Sequence, residues 1–61
     1  MKASENLKNR LEYSFEEARG LKSFKSYVNN SIIAYENEEH HYTLNDYKIL
    51  LLLDNVLEKV V

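Results

Sequence analysis

The sequence predicts an all-α fold, and three observations lead to this prediction. The chain of 61 residues contains no Pro and a single Gly, so it lacks the residues on which hairpin turns and Gly-rich nucleotide loops depend. Apolar side chains recur at helical spacing in three stretches, and a capping residue or a polar break separates neighbouring stretches. We therefore expect one domain over residues 1–61, a small helical hairpin or three-helix bundle with helices at about 4–19, 22–37 and 44–61.

The first predicted helix begins at Ser4, which is a suitable N-cap because its hydroxyl can accept a backbone hydrogen bond. Glu5 follows in the first turn, where the helix dipole favours a negative charge. Four apolar residues then recur at helical spacing, namely Leu7, Leu11, Phe15 and Ala18. This pattern predicts a helix with one apolar face.

The end of the first helix depends on Gly20, and the sequence leaves two alternatives open. Gly20 followed by Leu21 is typical of a residue that ends a helix in the left-handed conformation. However, the heptad pattern of apolar residues that starts at Leu7 continues past this point to Tyr35. A Gly inside a helix costs only about 1 kcal/mol, which a chain can tolerate. The second helix is therefore either separate from the first or continuous with it.

The last predicted helix follows a polar segment, residues 36–41, which interrupts the apolar pattern and predicts a turn. Thr43 is the predicted N-cap, and Asp46 occupies the third helical position of a capping box. A helical wheel of residues 44–61 places most apolar residues on one broad arc, which we expect to face the rest of the chain. This arc contains Ile49, Leu50, Leu53, Val56, Leu57, Val60 and Val61.

Five consecutive apolar residues, 49–53, extend around the whole circumference of this helix, because each residue turns it by about 100°. Leu44, Tyr47 and Leu51 form a second apolar seam opposite the broad arc. A chain of 61 residues has little protein with which to bury one helix on two sides. The sequence therefore predicts that antiparallel homodimerisation or a partner protein covers the second seam.

Charge and composition argue against several classes of function. The net charge of −2 is too small to indicate a nucleic-acid binder or an acidic mimic of nucleic acid. Residues 1–26 carry six Lys or Arg and four Glu, whereas residues 27–61 carry two Lys and six Asp or Glu, and this asymmetry favours antiparallel association. No stretch approaches the roughly 18 apolar residues of a membrane span, and the lack of Cys fits a reducing compartment. We expect a cytoplasmic protein.

Residues capable of chemistry match no familiar catalytic or metal-binding pattern. His40 and His41 are adjacent, so their side chains point apart, and neither a Cys nor a His-x-x-x-His pair completes a metal shell. The acidic residues have ordinary surface spacing, and the Ser and His residues match no nucleophile–base arrangement. We therefore expect no enzymatic activity, no cofactor and no bound metal.

A mildly basic strip with aromatic neighbours provides one alternative, a small transcriptional or nucleic-acid-binding regulator. Its candidate contacts are Arg19, Lys22 and Lys25. Interspersed Glu residues dilute the positive charge, and the last helix is too apolar to enter a DNA groove. Nucleic-acid binding is therefore the disfavoured alternative.

Aromatic and aliphatic side chains on a small helical scaffold favour a protein-binding function, because such groups bury a large area with few rotatable bonds. The candidate interface residues, toward a partner or a second copy, are Leu44, Tyr47, Leu51 and Tyr27. The leading hypothesis is a non-enzymatic regulator or inhibitor that docks on a larger protein, with a phage or mobile-element inhibitor of a host enzyme or defence complex as its first form. A self-assembling structural protein is a further alternative.

Overall fold

The computed structural model describes residues 4–61 and confirms the all-α prediction. Three helices follow in order, α1 (Glu5–Glu17), α2 (Leu21–Glu36) and α3 (Leu44–Val60). α2 and α3 form the principal helix pair, and α1 packs against α2 over a shorter length. Within residues 4–61, no helix combines the length and the apolar character that crossing a bilayer requires.

Gly20 divides the first half of the chain into two helices. Ala18 already has extended backbone dihedrals, and Gly20 has φ of 129° and ψ of 174°. That combination is essentially restricted to Gly, because a Cβ would meet the neighbouring backbone. No other atom lies within 4 Å of a Cβ built at this position, so the backbone conformation alone explains the Gly. Of the two alternatives left open by the sequence, the structure has separate helices.

The turn predicted at residues 36–41 is present, and it begins with a helix C-terminus of the Schellman type. Glu38 has a positive φ of 62°, which is the left-handed conformation that usually requires Gly or Asn. The backbone N–H of Glu39 donates to the carbonyl of Ala34 at 2.9 Å, and that of Glu38 donates to the carbonyl of Tyr35 at 3.0 Å. These bonds satisfy the last carbonyls of α2 and turn the chain toward α3.

A single carboxylate joins the N-termini of α1 and α3. Thr43 and Asp46 form the predicted capping box, in which the Thr43 hydroxyl accepts the Asp46 N–H at 3.1 Å and Asp46 Oδ2 accepts the Thr43 N–H at 3.1 Å. Asp46 also accepts from Ser4, through Oδ1 from the backbone N–H at 2.9 Å and through Oδ2 from the hydroxyl at 2.7 Å. Ser4 is itself the N-cap of α1, as predicted. Both helix starts therefore depend on one fully buried carboxylate.

Two interhelical contacts establish that α2 and α3 are antiparallel. Near the start of α2, Lys25 Nζ lies 3.2 Å from Asp54 Oδ1 in the second half of α3. Near the end of α2, the ring of Tyr35 stacks on Tyr47 in the first half of α3, with 4.3 Å between ring centroids. The core between the helices consists of Leu7, Phe24, Val28, Ile32, Leu50 and Leu57.

The broad apolar arc predicted for α3 is only partly buried. Leu50 and Leu57 are in the core, and Ile49 and Leu53 pack against it at its edge. The other members of the arc are exposed, namely Val56, Val60 and Val61. The prediction was wrong for these residues. The short α1, of 13 residues, comes close to α3 near Asp46, at the start of α3. Within the part of the chain that the structure describes, the C-terminal half of α3 is therefore covered from the α2 side alone.

Candidate protein-binding face

The outward side of α3 is apolar and uncovered in the single chain. Among the five consecutive apolar residues of α3, Leu50 is fully buried, whereas Leu51 and Leu52 keep 43% and 55% of their surface exposed. Leu44, two turns before Leu51, is also exposed. A helix that is apolar on every side therefore has its inner side buried by this chain and its outer side left to solvent.

We define the α3 outer face as Leu44, Lys48, Leu51, Leu52 and Asn55. Four of these residues, all except Leu44, line a shallow depression with a volume of about 450 Å³. Lys48 carries the single formal charge of this face, next to Leu51 and Leu52. The face therefore combines aliphatic area with one positive charge, which matches an apolar partner surface bearing an acidic group.

Tyr47 lies at the edge of this face and is held by α2. Its ring stacks on Tyr35, and its hydroxyl donates to Glu36 Oε2 at 3.1 Å. The hydrogen bond to Glu36 raises the pKa of Tyr47 above the ordinary 10.0, and burial contributes a smaller effect in the same direction. Of the candidates Leu44, Tyr47 and Leu51, the structure thus exposes the two leucines and uses the tyrosine to join α2 to α3.

The fourth candidate, Tyr27, lies in a different part of the molecule. It lines a groove of about 510 Å³ between α1 and α2, to which α3 contributes no residue. The sequence grouped Tyr27 with the α3 residues because Tyr27 falls outside the regular apolar seam of α2. The structure separates Tyr27 from the α3 outer face.

The basic residues considered for nucleic-acid contact do not act as one group. Lys25 is the cation of the ion pair with Asp54, where both side chains are about three-quarters buried. Arg19 and Lys22 are exposed on either side of Gly20 and the start of α2. One of the three positive charges is therefore neutralised within the fold.

A polar cavity that the sequence analysis did not predict lies between α1, α2 and the loop that precedes α3. Its volume is about 340 Å³. The lining residues are Arg10, Tyr27, Asn30, Ser31, Ala34, Glu39, His40, His41 and Tyr42. Arg10, Tyr27 and Tyr42 are far apart in the chain and follow no short motif, so only tertiary structure brings them together.

The loop wall of this cavity is held by hydrogen bonds and ring stacking. The backbone N–H of Tyr42 donates to His40 Nδ1 at 2.9 Å, and the His40 ring stacks on Tyr35 with 4.2 Å between centroids. Asn6 of α1 donates through Nδ2 to the carbonyl of His41 at 3.4 Å. The loop is thus attached to both α1 and α2.

Two tyrosine hydroxyls in the cavity form a pair with opposite pKa shifts. Burial acts to raise the pKa of Tyr27, but hydrogen bonds with Ser14, Tyr42, Ser31 and Arg10 outweigh burial and place it below 10.0. Burial and the hydrogen bond with Tyr27 raise the pKa of Tyr42 above 10.0. The two pKa shifts have opposite directions because the hydroxyl groups interact with each other and differ in their other partners.

Within residues 4–61, no group of three or more His, Cys, Asp or Glu side chains is arranged to hold a metal ion. All buried side-chain nitrogen and oxygen atoms in this range have a hydrogen-bond partner. Comparisons of the chain with protein-family models, with curated proteins and with solved structures find no match.

Proposed function

We propose that this protein is a non-enzymatic regulator that docks on a larger protein through the α3 outer face. The observation that carries the proposal is the exposure of Leu51 and Leu52 in the middle of a helix whose opposite side packs in the core through Leu50. Solvent exposure of adjacent leucines is unfavourable by roughly 25 cal/mol for each Å² of apolar surface. Docking recovers this free energy.

The proposed partner surface is complementary to the α3 outer face in shape and charge. It offers an apolar groove for Leu44, Leu51 and Leu52, and an acidic side chain opposite Lys48. Because the face lies on one rigid helix, docking requires little reordering of the backbone. Regulation follows by occlusion of the partner's surface or by a shift in its conformational equilibrium, without covalent chemistry.

A second copy of the chain is the second candidate for the partner. Leu52, Val56 and Val60 are spaced four residues apart, so they form an exposed apolar row beside the outer face. An antiparallel pair of α3 helices would cover this row in both copies. In this case the protein functions as a homodimer that builds a larger assembly or presents its remaining surface to a target.

The test compares two charge-introducing variants, Leu51→Glu and Leu52→Glu, with the matched control Ile33→Glu. Ile33 is an aliphatic residue of α2 with 45% exposure, close to the 43% of Leu51. We expect all three variants to keep their helical circular dichroism, because exposed substitutions change stability by about 0.5 kcal/mol. Affinity capture from nuclease-treated lysate should retain a stoichiometric protein with the wild type and with Ile33→Glu, and lose it with both α3 variants.

Sedimentation equilibrium of the same four proteins separates the two candidate partners. A wild-type mass of twice 7.2 kDa that falls to 7.2 kDa in the α3 variants assigns the face to a second copy. A monomer in every case, together with a captured protein that both α3 variants lose, assigns it to a different protein. The proposal is refuted if the captured proteins and the mass are the same for all variants, or if Leu51→Glu unfolds the chain.

A further inference from the structure

The polar cavity between α1, α2 and the loop is rich in hydrogen-bond donors. The guanidinium of Arg10 has five N–H donors, of which Nε donates to Asn6 Oδ1 at 3.2 Å. Arg10 and Tyr27 line the same cavity from α1 and α2. Donors therefore remain on Arg10 after its contacts within the protein, and its orientation is constrained by Asn6.

The histidine in the loop wall also has a defined donor. His40 Nδ1 accepts the backbone N–H of Tyr42, so the proton of the neutral ring lies on Nε2. The ring is stacked on Tyr35, which restricts its rotation. Tyr42 adds a hydroxyl to the lining, and Asn30 adds an amide. The cavity thus presents donors from α1, α2 and the loop.

Two residues of opposite charge belong to the lining, Arg10 and Glu39, and both are exposed, so water and salt screen the field of each. The guanidinium of Arg10 is oriented by its hydrogen bond to Asn6 Oδ1. Because the neutral donors of Asn30 and His40 lie in the same lining, the cavity favours a ligand that accepts hydrogen bonds.

We propose that this cavity binds a small organic molecule through an oxyanion, a phosphate or a carboxylate group, which Arg10 and Tyr42 contact. A volume of about 340 Å³ is at the lower end of the range for small-molecule sites, about 300–1,000 Å³. The Ala34 methyl group and the rings of Tyr27 and Tyr42 provide an apolar wall for the rest of the molecule. The site is independent of the α3 outer face.

Amide NMR titrations with three probes test this inference, namely inorganic phosphate, phenyl phosphate and benzoate, each at constant ionic strength. We expect saturable shifts at Arg10, Tyr27 and Tyr42 with phenyl phosphate or benzoate, and tighter binding than with inorganic phosphate because of the apolar wall. Stronger binding of phenyl phosphate assigns the site to phosphate esters. Stronger binding of benzoate assigns it to carboxylates. Either result supports the site.

Matched variants separate a built site from general charge attraction. Arg10→Ala should weaken binding by about tenfold or more, the value of one charge-assisted hydrogen bond. Arg19→Ala removes the same charge from an exposed position outside the cavity, so it should leave the affinity unchanged. Glu39→Gln should tighten binding because it removes the opposing charge. Tyr42→Phe removes one hydroxyl and should weaken binding while the fold is kept.

The inference is overturned if none of the probes produces saturable shifts, or if Arg10→Ala and Arg19→Ala weaken binding equally. It is also overturned if inorganic phosphate shifts exposed Lys residues throughout the molecule and leaves the cavity unchanged. Leu51→Glu should bind the probes as the wild type does, because the cavity and the α3 outer face share no residue. Loss of one proposed function therefore leaves the other testable.

Discussion

Replacing Asp46 with Asn should destabilise the fold more than any other single change of one acidic side chain to its amide. Asp46 is fully buried, and its two oxygens accept three hydrogen bonds that reach α1 as well as α3. The amide keeps the shape of the side chain. It removes the negative charge and replaces one acceptor oxygen with an N–H donor.

The size of the effect follows from the bonds that the amide cannot make. With its oxygen in the place of Oδ1, the introduced amide keeps the bond from the Ser4 N–H, and the Ser4 hydroxyl can rotate to accept from the new amide nitrogen. The Thr43 N–H then faces a donor and loses its partner. The variant loses one charge-assisted hydrogen bond, the negative charge that strengthens the other two bonds, and the favourable charge at the start of α3. Together these losses lower the free energy of unfolding by about 2–4 kcal/mol. A chain of 61 residues is stable by only about 3–9 kcal/mol in total.

Urea unfolding followed by circular dichroism measures this difference, with Asp54→Asn as the control. Asp54 is partly exposed and makes one ion pair, so its amide should cost at most about 1 kcal/mol. Burial acts to raise the pKa of Asp46, but hydrogen bonds from Ser4 and Thr43 outweigh burial and hold this pKa below 3.8. The carboxylate therefore stabilises the folded state above its unfolded pKa, and this contribution is lost as the pH falls through the folded pKa. The difference between wild type and Asp46→Asn should shrink below about pH 4.

Two results would refute this reasoning about Asp46. One is an Asp46→Asn variant that is as stable at neutral pH as the Asp54→Asn control. The other is a difference from the wild type that stays constant between neutral pH and pH values below the folded pKa. Either would mean that the carboxylate does not join α1 to α3 in solution.

Two further predictions concern packing and backbone conformation. Leu50→Ala should cost about 2–5 kcal/mol by urea unfolding, whereas Leu52→Ala, two residues away, should cost about 0.5 kcal/mol, and equal losses would contradict the burial of α3 described above. Gly20→Ala should destabilise by about 1–3 kcal/mol, because an Ala is strained at a φ of 129°. Glu38→Gly should instead stabilise by up to about 1 kcal/mol, because Gly adopts a φ of 62° without strain. In thermal unfolding, a lower melting temperature for Gly20→Ala and a higher one for Glu38→Gly would support both backbone conformations.

Local sequence signals located the helix starts and the turn in this chain. Ser4 and Thr43 cap their helices through bonds to residues three positions later, and the polar residues of segment 36–41 end α2 where the apolar pattern stops. Such interactions lie within one helical turn, so they are readable from neighbouring residues. The apolar arcs of a helix are equally local, since they follow from its period.

The structure decided which parts of those arcs are covered. Val56 and Leu57 are adjacent and both apolar, yet Leu57 is in the core and Val56 is exposed. Their difference depends on where α2 lies and on how early α1 ends, and neither is a property of α3 itself. Similarly, the role of Asp46 as an N-cap was predictable, whereas its bonds to Ser4 span 42 positions in the chain.

By itself, the sequence determined an all-α chain, the caps at Ser4 and Thr43 and an α3 that is apolar on every side, because these features depend on residues within a few positions of each other. Tertiary structure decided that Gly20 separates α1 from α2, that Leu51 and Leu52 remain on the outside, and that distant polar residues surround a cavity. These outcomes require the relative placement of whole helices, which is selected by the total burial of apolar surface and by long-range hydrogen bonds.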